Sequence, residues 1–221
     1  MLYPINEMFS TIQGEAKYTG TPAYFIRTQY CPVGCGWCDT KHTWKIERKN
    51  KITPVLMMAK ADDKPTYTEL SSEDLYNEIK KTRINHIVLT GGEPCVYDLT
   101  EITDYFISKG YTIQIETSGT FEIKCNKDTW VTVSPKIDMD GGYKLIKESI
   151  ERSDEIKYPI GKQKDVDRLI QFIDEYDLNK GQKIWVQPLS QSKKATELCV
   201  KSASNNGWNI SVQTHKYINI R

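Results

Sequence analysis

Short apolar or β-branched stretches alternate along the chain with stretches whose apolar residues recur at helical spacing. The first kind predicts β-strands, because buried strands of a parallel sheet appear as short apolar runs. Strands are predicted at residues 5–9, 23–28, 86–90, 112–116, 130–133, 155–157, 184–187 and 210–213. The second kind predicts helices at residues 73–82, 99–109, 165–176 and 193–206. Ser71 with Asp74 forms a capping-box pattern before the first helix, and Gly110 and Gly207 supply two helix stops.

Strands that alternate with helices predict an α/β fold with mainly parallel strands and right-handed crossovers. About six βα units fall short of the eight in a closed barrel, so we expect a partial (open) β/α barrel. No repeat, low-complexity tract or linker divides the sequence, and residues 1–221 are expected to form a single domain. Residues 45–70 interrupt the alternation. They are polar and contain Pro54 and Pro65, which indicates an insertion within the domain.

Composition and charge exclude several classes of partner. The 221 residues include 30 basic and 29 acidic side chains, and this balance lacks the positive excess of a nucleic-acid-binding protein. The longest unbroken apolar run, residues 55–59, is too short to cross a bilayer. The residues after Met1 have neither the basic start nor the apolar stretch of a signal peptide. We therefore expect a cytoplasmic protein that binds neither nucleic acid nor membrane.

Three of the six cysteines, Cys31, Cys35 and Cys38, lie in one glycine-containing stretch directly after the strand predicted at 23–28. Chance clustering does not account for this, because apolar packing does not require three cysteines in one turn. Structural zinc is a stronger alternative, since His42 could complete a Cys₃His ligand set. The other is a [4Fe–4S] cluster held by only three thiolates, whose open iron could bind a small molecule. The spacing favours the cluster but leaves zinc open.

Small and polar residues follow the predicted strands, where parallel α/β sheets form their binding sites. Thr90-Gly-Gly-Glu-Pro94 ends one strand, and its two glycines let a ligand approach the backbone closely. Comparable segments follow later strands, at residues 116–120, 134–138 and 187–188. Each segment taken alone is compatible with turn and capping chemistry. Their shared position, downstream of a cysteine triad, indicates one common site.

The cysteine spacing, Cys31-x₃-Cys35-x₂-Cys38, resembles the signature of the radical S-adenosylmethionine (SAM) superfamily. Residues 90–94 resemble the segment that binds the methionine amino group in those enzymes. The resemblance implies a partial β/α barrel of radical SAM type and a [4Fe–4S] cluster whose open iron chelates SAM. Reductive cleavage of SAM would then supply a 5′-deoxyadenosyl radical, so the difficult chemistry belongs to the cofactor.

Within the superfamily, the chain resembles the 7-carboxy-7-deazaguanine synthases from residue 4 to its end. The segments that carry this likeness are residues 7–15, 25–27, 39–43 and 213–221. The insertion at 45–70 is similar to that of the enterobacterial-type members. The resemblance implies a carbon–nitrogen lyase of queuosine and 7-deazapurine biosynthesis. It would convert 6-carboxy-5,6,7,8-tetrahydropterin to 7-carboxy-7-deazaguanine with loss of ammonia, using Mg²⁺ and re-forming SAM.

The same resemblance assigns roles to individual residues. Cys31, Cys35 and Cys38 would hold the cluster, and Thr40 would be the protein ligand of Mg²⁺. The substrate contacts would be Ile12, Gln13, Gly14, Glu15, Arg27, Thr90, His215 and Arg221. The SAM contacts would be Trp37, Gly92, Glu93, Ser118, Ser134, Pro135, Lys136 and Gln187. No side chain receives a catalytic role beyond the cofactor-borne radical.

Some of these roles are more specific. Arg27 would clamp the substrate carboxylate, and Glu15 would accept hydrogen bonds from the guanidine-like edge of the pterin. Trp37 would shield the cluster. Many members of the family end in proline and use the terminal carboxylate as a ligand, and here the carboxylate of Arg221 is expected to serve.

The resemblance also implies partners: a homodimer, and an electron donor such as flavodoxin or ferredoxin. Two other functions remain open at this point. A glycyl-radical-enzyme activase shares the cysteine spacing and small size but needs a docking groove for a protein. A non-enzymatic binding module stabilised by zinc would use the cysteine triad with His42, and iron and sulfide analysis would distinguish it from both enzymes.

Overall fold

A computed structural model of the chain describes residues 1–60, 62–178 and 181–220. Within these residues nine strands form one sheet. The strands are β1 (Tyr3–Ile12), β2 (Pro22–Thr28), β3 (Thr68–Leu70), β4 (His86–Gly91), β5 (Thr112–Thr117), β6 (Trp130–Val133), β7 (Glu155–Ile160), β8 (Lys183–Pro188) and β9 (Asn209–Ile210).

The strand order is β3-β1-β2-β4-β5-β6-β7-β8-β9. Strands β2, β4, β5, β6, β7, β8 and β9 are parallel to one another. Strand β1 runs antiparallel to both of its neighbours, β2 and β3. Among the described residues β3 and β9 form the two edges, so the sheet is open. The predicted α/β fold, a mainly parallel open barrel, is confirmed.

Four helices match those expected from apolar spacing, and three short helices were not predicted. The helices are α1 (Pro54–Met58), α2 (Ser72–Ile79), α3 (Thr100–Ser108), α4 (Lys147–Glu151), α5 (Gln163–Tyr176), α6 (Lys193–Asn206) and α7 (Thr214–Tyr217). Helix α2 begins at the expected capping box, where the backbone N–H of Asp74 donates to the Ser71 hydroxyl and the Asp74 carboxylate accepts from the Ser71 N–H. Gly110 and Gly207 have the positive φ that ends a helix. No helix of the described residues has the length and apolarity needed to cross a bilayer.

One predicted strand has different bounds in the structure, and one strand was not predicted. The last strand, predicted at 210–213, ends at Ile210, because the chain leaves the sheet to carry Gln213 to the Glu15 carboxylate. The region at 45–70 is not wholly irregular: it contains α1 and ends in β3, which pairs with β1 at Tyr3–Ile5. The polar composition of the region did not indicate this strand. Strand β3 is a three-residue edge strand in which one exposed residue lies between two buried ones.

The two faces of the sheet differ sharply in polarity. One face packs against the helices through buried apolar side chains, including Ile87, Leu89, Ile113 and Ile115. On β5, strand alternation places Gln114 and Glu116 on the opposite face. The neighbouring strands likewise place polar residues on that inner face: His86, Thr90, Thr132, Glu155 and Lys157. A face of buried polar groups requires hydrogen-bond partners, and this requirement shapes the site.

Candidate active site

A cavity of about 460 Å³ lies at the carboxyl ends of the parallel strands, on the polar face of the sheet. Its wall combines the cysteine loop after β2, the Gly-Gly-Glu loop after β4, and the ends of β5 to β8. The segment between β1 and β2 and the residues around α7 close its other side. This is the place where ligand sites form in open α/β sheets.

Almost all of the predicted site residues that the structure describes line this one cavity. They are Ile12, Gln13, Gly14, Glu15, Arg27, Cys31, Cys35, Trp37, Cys38, Thr40, Thr90, Gly92, Glu93, Ser118, Ser134, Lys136, Gln187 and His215. Pro135 is buried but is not part of the wall. Arg221 lies outside the described residues. Residues separated by 200 positions in sequence therefore meet in a single site.

A backbone hydrogen bond holds the start of the loop that carries the cysteines, and another forms a turn within it. The N–H of Tyr30 donates to Thr43 at 2.6 Å, and the N–H of Cys38 donates to Cys35 at 3.0 Å. Burial raises the pKa of the Cys31 thiol to about 12. Burial also raises the pKa of Cys35, although the nearby Lys136 ammonium opposes the shift. Without a metal these two groups are thiols, so metal binding must release protons.

The thiol arrangement fits a cluster better than a single zinc ion. Among the described residues, no three His, Cys, Asp or Glu side chains are arranged to hold one metal ion. His42, the expected fourth zinc ligand, is not part of the cavity wall, and its Nε2 is buried without a hydrogen-bond partner. A [4Fe–4S] cluster takes each thiolate on a different iron, so its three sulfurs need not converge on one point.

The Gly-Gly-Glu loop packs directly on the start of the cysteine loop. The N–H of Gly92 donates to Thr28 at 3.0 Å, and the N–H of Glu93 donates to Tyr30 at 2.9 Å. A Cβ added at Gly92 would lie 2.2 Å from the Tyr30 oxygen and 2.8 Å from the Cys31 Cβ. Glycine is therefore required here because two backbones touch, and this contact fixes Cys31 against the loop.

The Glu93 side chain connects its own loop to the end of β5. Its Oε1 accepts from the Thr117 hydroxyl at 2.6 Å and from the N–H of Cys95 at 3.0 Å. Its Oε2 accepts from the N–H of Ser118 at 2.8 Å. A carboxylate has about four acceptor positions, so Glu93 retains capacity for one further donor such as an ammonium group.

Arg27 is partly buried beside a carboxylate that sequence reasoning did not identify. Its Nε donates to Glu7 Oε1 at 2.6 Å, and Glu7, which is 4% exposed, faces it in the β1–β2 register. Burial lowers the pKa of Arg27, but a guanidinium remains charged in proteins. It has five N–H donors, so pairing through Nε leaves donors for an anion in the cavity.

Opposite charges meet at the other end of the cavity. The Lys157 ammonium contacts the Glu15 carboxylate and lies 2.6 Å from Glu116 Oε2. Gln213 Nε2 donates to Glu15 Oε1 at 2.7 Å. Sequence reasoning assigned no role to Glu116, Lys157 or Gln213. Lys157 was the signal available in the sequence, because a charged side chain in a buried strand needs a partner of opposite charge.

The coupling of these three charged groups shifts their pKa values in different directions. Burial acts to raise the pKa of Glu15, but Lys157 more than offsets this, so the pKa is lowered. Burial raises the pKa of Glu116, with partial compensation from Lys157. Burial acts to lower the pKa of Lys157, and the two carboxylates reverse this. The ammonium is therefore held in its charged form.

His215 and Thr40 both line the cavity wall. A Cβ added at Gly14 would lie 2.1 Å from His215 Nδ1, so glycine permits the imidazole to pack there. The Thr40 hydroxyl lies 3.5 Å from Cys38 Sγ, on the cluster side. Trp37 is 60% exposed at this side of the cavity and is not a core residue.

Comparisons with known proteins agree with this geometry. The sequence profile of the Radical SAM superfamily matches residues 25–176. The chain is 46% identical to the 7-carboxy-7-deazaguanine synthase of Escherichia coli K12 and 48% identical to that of Buchnera aphidicola, over the full length of both chains in each case. It is also similar to the crystal structure of QueE from Escherichia coli. That likeness has a TM-score of 0.94 and 45% identity, and covers 96% of this chain and 94% of the other.

The glycine contact yields a test with an internal control. Gly92→Ala should lower the free energy of unfolding by about 1–3 kcal/mol, since its Cβ meets backbone that must move. Gly36→Ala, in the cysteine loop, meets no atom within 4 Å and should change stability by less than about 0.5 kcal/mol. Urea unfolding of both variants measures the difference. Equal effects of the two substitutions would contradict a backbone contact at Gly92.

Proposed function

The chain belongs to the radical SAM superfamily and, within it, to the 7-carboxy-7-deazaguanine synthase family, and on that premise we propose the reaction of its cavity. The enzyme is a radical SAM lyase that converts 6-carboxy-5,6,7,8-tetrahydropterin to 7-carboxy-7-deazaguanine with loss of ammonia. The product enters queuosine and 7-deazapurine biosynthesis. Zinc-module and glycyl-radical-activase functions are not favoured by the family assignment.

One observation carries the proposal: a cysteine triad shares a cavity with charged groups suited to both ends of a carboxylated pterin. Arg27 lies on one wall, where its remaining N–H donors match a carboxylate. Glu15 and Glu116 lie on another wall and share one ammonium, that of Lys157. The oxygens of these two carboxyl groups supply acceptors that suit the donor-rich, guanidine-like edge of the ring. A glycyl-radical activase, which acts on a protein, has no use for this closed polar end.

Residues on the cluster side support the assigned cofactors. Cys31, Cys35 and Cys38 would hold a [4Fe–4S] cluster, which with SAM supplies the radical that initiates the reaction. We assign Glu93 to the amino group of SAM, because its free acceptor capacity lies next to the cysteine loop. Gln187 fits a base edge, since Ser211 donates to its Oε1 at 2.9 Å and so leaves its NH₂ group available.

The remaining SAM and substrate contacts complete the proposed site. Lys136 Nζ donates to the carbonyl and hydroxyl oxygens of Ser134, which braces both on the cavity wall. Thr40 is proposed as the single protein ligand of Mg²⁺, with substrate and water supplying the rest of the octahedral shell. Residues 1–221 are proposed to act as one domain of a cytoplasmic homodimer reduced by a flavodoxin or ferredoxin.

The first test of the function is direct. Anaerobically reconstituted protein, incubated with SAM, reductant, Mg²⁺ and the carboxytetrahydropterin, should release 7-carboxy-7-deazaguanine, detected by mass spectrometry. Cys35→Ala should lose the cluster spectrum and product formation. The cluster has only three protein ligands for its four irons, and this variant would leave two. Cys95→Ala, a buried cysteine outside the cavity wall, should retain both. Full iron content in Cys35→Ala with loss in Cys95→Ala would contradict the assignment.

The second test concerns the carboxylate of the substrate. Arg27→Ala should weaken pterin binding by about 2–5 kcal/mol, because the substrate anion would lose its buried partner. The affinity for SAM should change far less. Arg27→Lys should restore little of the pterin affinity, because lysine lacks the planar guanidinium that binds a carboxylate through two hydrogen bonds. Binding titrations with each ligand provide the comparison. Equal losses for pterin and SAM would instead indicate that Arg27 mainly stabilises Glu7.

The third test concerns Mg²⁺. Thr40→Ala should keep the cluster and uncoupled SAM cleavage but lose the stimulation of product formation by Mg²⁺. Thr40→Ser keeps the hydroxyl and should retain much of that stimulation. Turnover is measured against Mg²⁺ concentration for both variants. A response of Thr40→Ala that matches the unmodified enzyme would remove Thr40 from the metal site and leave the radical SAM assignment intact.

A further inference from the structure

A fully buried glutamine, Gln114, lies beneath the cavity and is not part of its wall. It is on β5, two residues before Glu116 and on the same face of the sheet. A fully buried amide in a strand core carries a desolvation cost unless each of its polar atoms has a partner. Gln114 meets this requirement, and the identity of its partners indicates what it does.

Both polar atoms of the Gln114 amide have two neighbours. Its Oε1 accepts from Gln13 Nε2 at 2.9 Å and lies 3.3 Å from His86 Nε2. Its Nε2 donates to Glu116 Oε1 at 3.1 Å and to Thr132 Oγ1 at 2.9 Å. Two of these neighbours, Gln13 and Glu116, line the cavity.

The direction of these hydrogen bonds follows from the carboxylates. Glu116 Oε1 is the acceptor of the hydrogen bond from Gln114 Nε2, so the nitrogen of Gln114 faces it. The Thr132 hydroxyl donates to Glu155 Oε1 at 2.7 Å, so it must accept from the same nitrogen. The oxygen of Gln114 is therefore turned toward Gln13, and the amide has one satisfactory orientation.

Gln13 is also held completely. Its Nε2 donates to Gln114 and lies 3.3 Å from Glu116 Oε1, while its Oε1 accepts from the backbone N–H of Glu15 at 3.1 Å. Gln114 thus links the two segments that carry the carboxylates of the cavity. If this link were lost, Gln13 Nε2 and Glu116 Oε1 would each lose one of their two hydrogen-bond partners in this network.

We propose that Gln114 is a positioning residue, which from beneath the cavity fixes Gln13 and Glu116 in the arrangement that receives the donor edge of the substrate. The inference rests on the proposed function, since it assigns Gln114 to binding of that same pterin. Gln114 does not touch the substrate and acts through its two neighbours.

The charged surroundings of Gln114 make a glutamate substitution informative. Glu116 on β5 and His86 on β4 contact Gln114 directly. Glu155 on β7 is linked to it through Thr132, and Lys157 on β7 and Glu15 beyond β1 are linked to it through Glu116. In Gln114→Glu, an ionised carboxylate would place an acceptor against Glu116. A protonated carboxyl can still donate, and so it imitates the amide. The variant should therefore resemble glutamine at low pH and lose that resemblance as the pH rises.

The experiment uses the reconstituted enzyme with SAM and without reductant, so that binding is measured in the absence of turnover. Gln114→Met should raise the Kd for 6-carboxytetrahydropterin about tenfold and leave the Kd for SAM unchanged. In Gln114→Glu, the pterin affinity relative to the unmodified enzyme at each pH should increase as the pH falls through neutrality. Ile115→Val, the next residue along β5 and part of the apolar core, should lower Tm without changing either Kd.

Other outcomes would contradict the inference. Unchanged pterin affinity in Gln114→Met would overturn it, as would a pH-independent loss in Gln114→Glu that simply follows Tm. If Gln114→Met does not fold, the pH dependence of Gln114→Glu decides the question alone. Failure of the proposed function is recognised separately, because the unmodified enzyme would then neither bind nor convert the pterin.

Discussion

The structure depends on one buried ammonium group. Lys157 lies between the carboxylates of Glu15 and Glu116, and so connects β7, β5 and the segment between β1 and β2. Each of these groups would be costly to bury alone, because an uncompensated charge inside a protein is strongly destabilising. Together they hold the two sides of the open sheet at a fixed distance. The same two carboxyl groups place hydrogen-bond acceptors at this end of the cavity. The groups that join the strands therefore also favour a ligand with N–H donors.

A polar inner face follows from this arrangement. The interior of a closed barrel is filled by branched apolar side chains, whereas here the apolar packing lies on the helix side of the sheet. The inner face instead carries a chain of hydrogen bonds through Gln13, Gln114, Thr132 and Glu155. A network of this kind is rigid because each group limits the orientation of the next, and among its four members one buried side-chain atom, Glu155 Oε2, lacks a hydrogen-bond partner. Rigidity beneath the cavity allows the residues above it to be placed before a ligand arrives.

At the cysteine end of the cavity, backbone contacts hold the segments together, as ion pairs do near Lys157. The approach of Gly92 to Tyr30 holds the start of the cysteine loop against the strand that follows it in the sheet. Glu93 then connects this loop to the end of β5 through Thr117 and Ser118. A cluster on the cysteine loop and a ligand near Glu93 are therefore parts of one rigid unit. Electron transfer into a bound molecule would require such proximity, and main-chain packing brings together the residues that would hold the two groups.

Patterns within the chain were enough to predict the parallel α/β fold, the helix stops at Gly110 and Gly207, and a metal-binding loop at residues 31–38. These features are local: alternation, glycine conformation and cysteine spacing each act within a few residues. Only the tertiary structure decided that Lys157 joins Glu15 to Glu116, that Glu7 holds Arg27, and that His42 stays outside the cavity wall. It also decided that residues 211–213 leave the sheet and that Gln114 supports the site from below. Those outcomes depend on sheet register and on which face each residue occupies, and both are set by contacts between segments far apart in sequence.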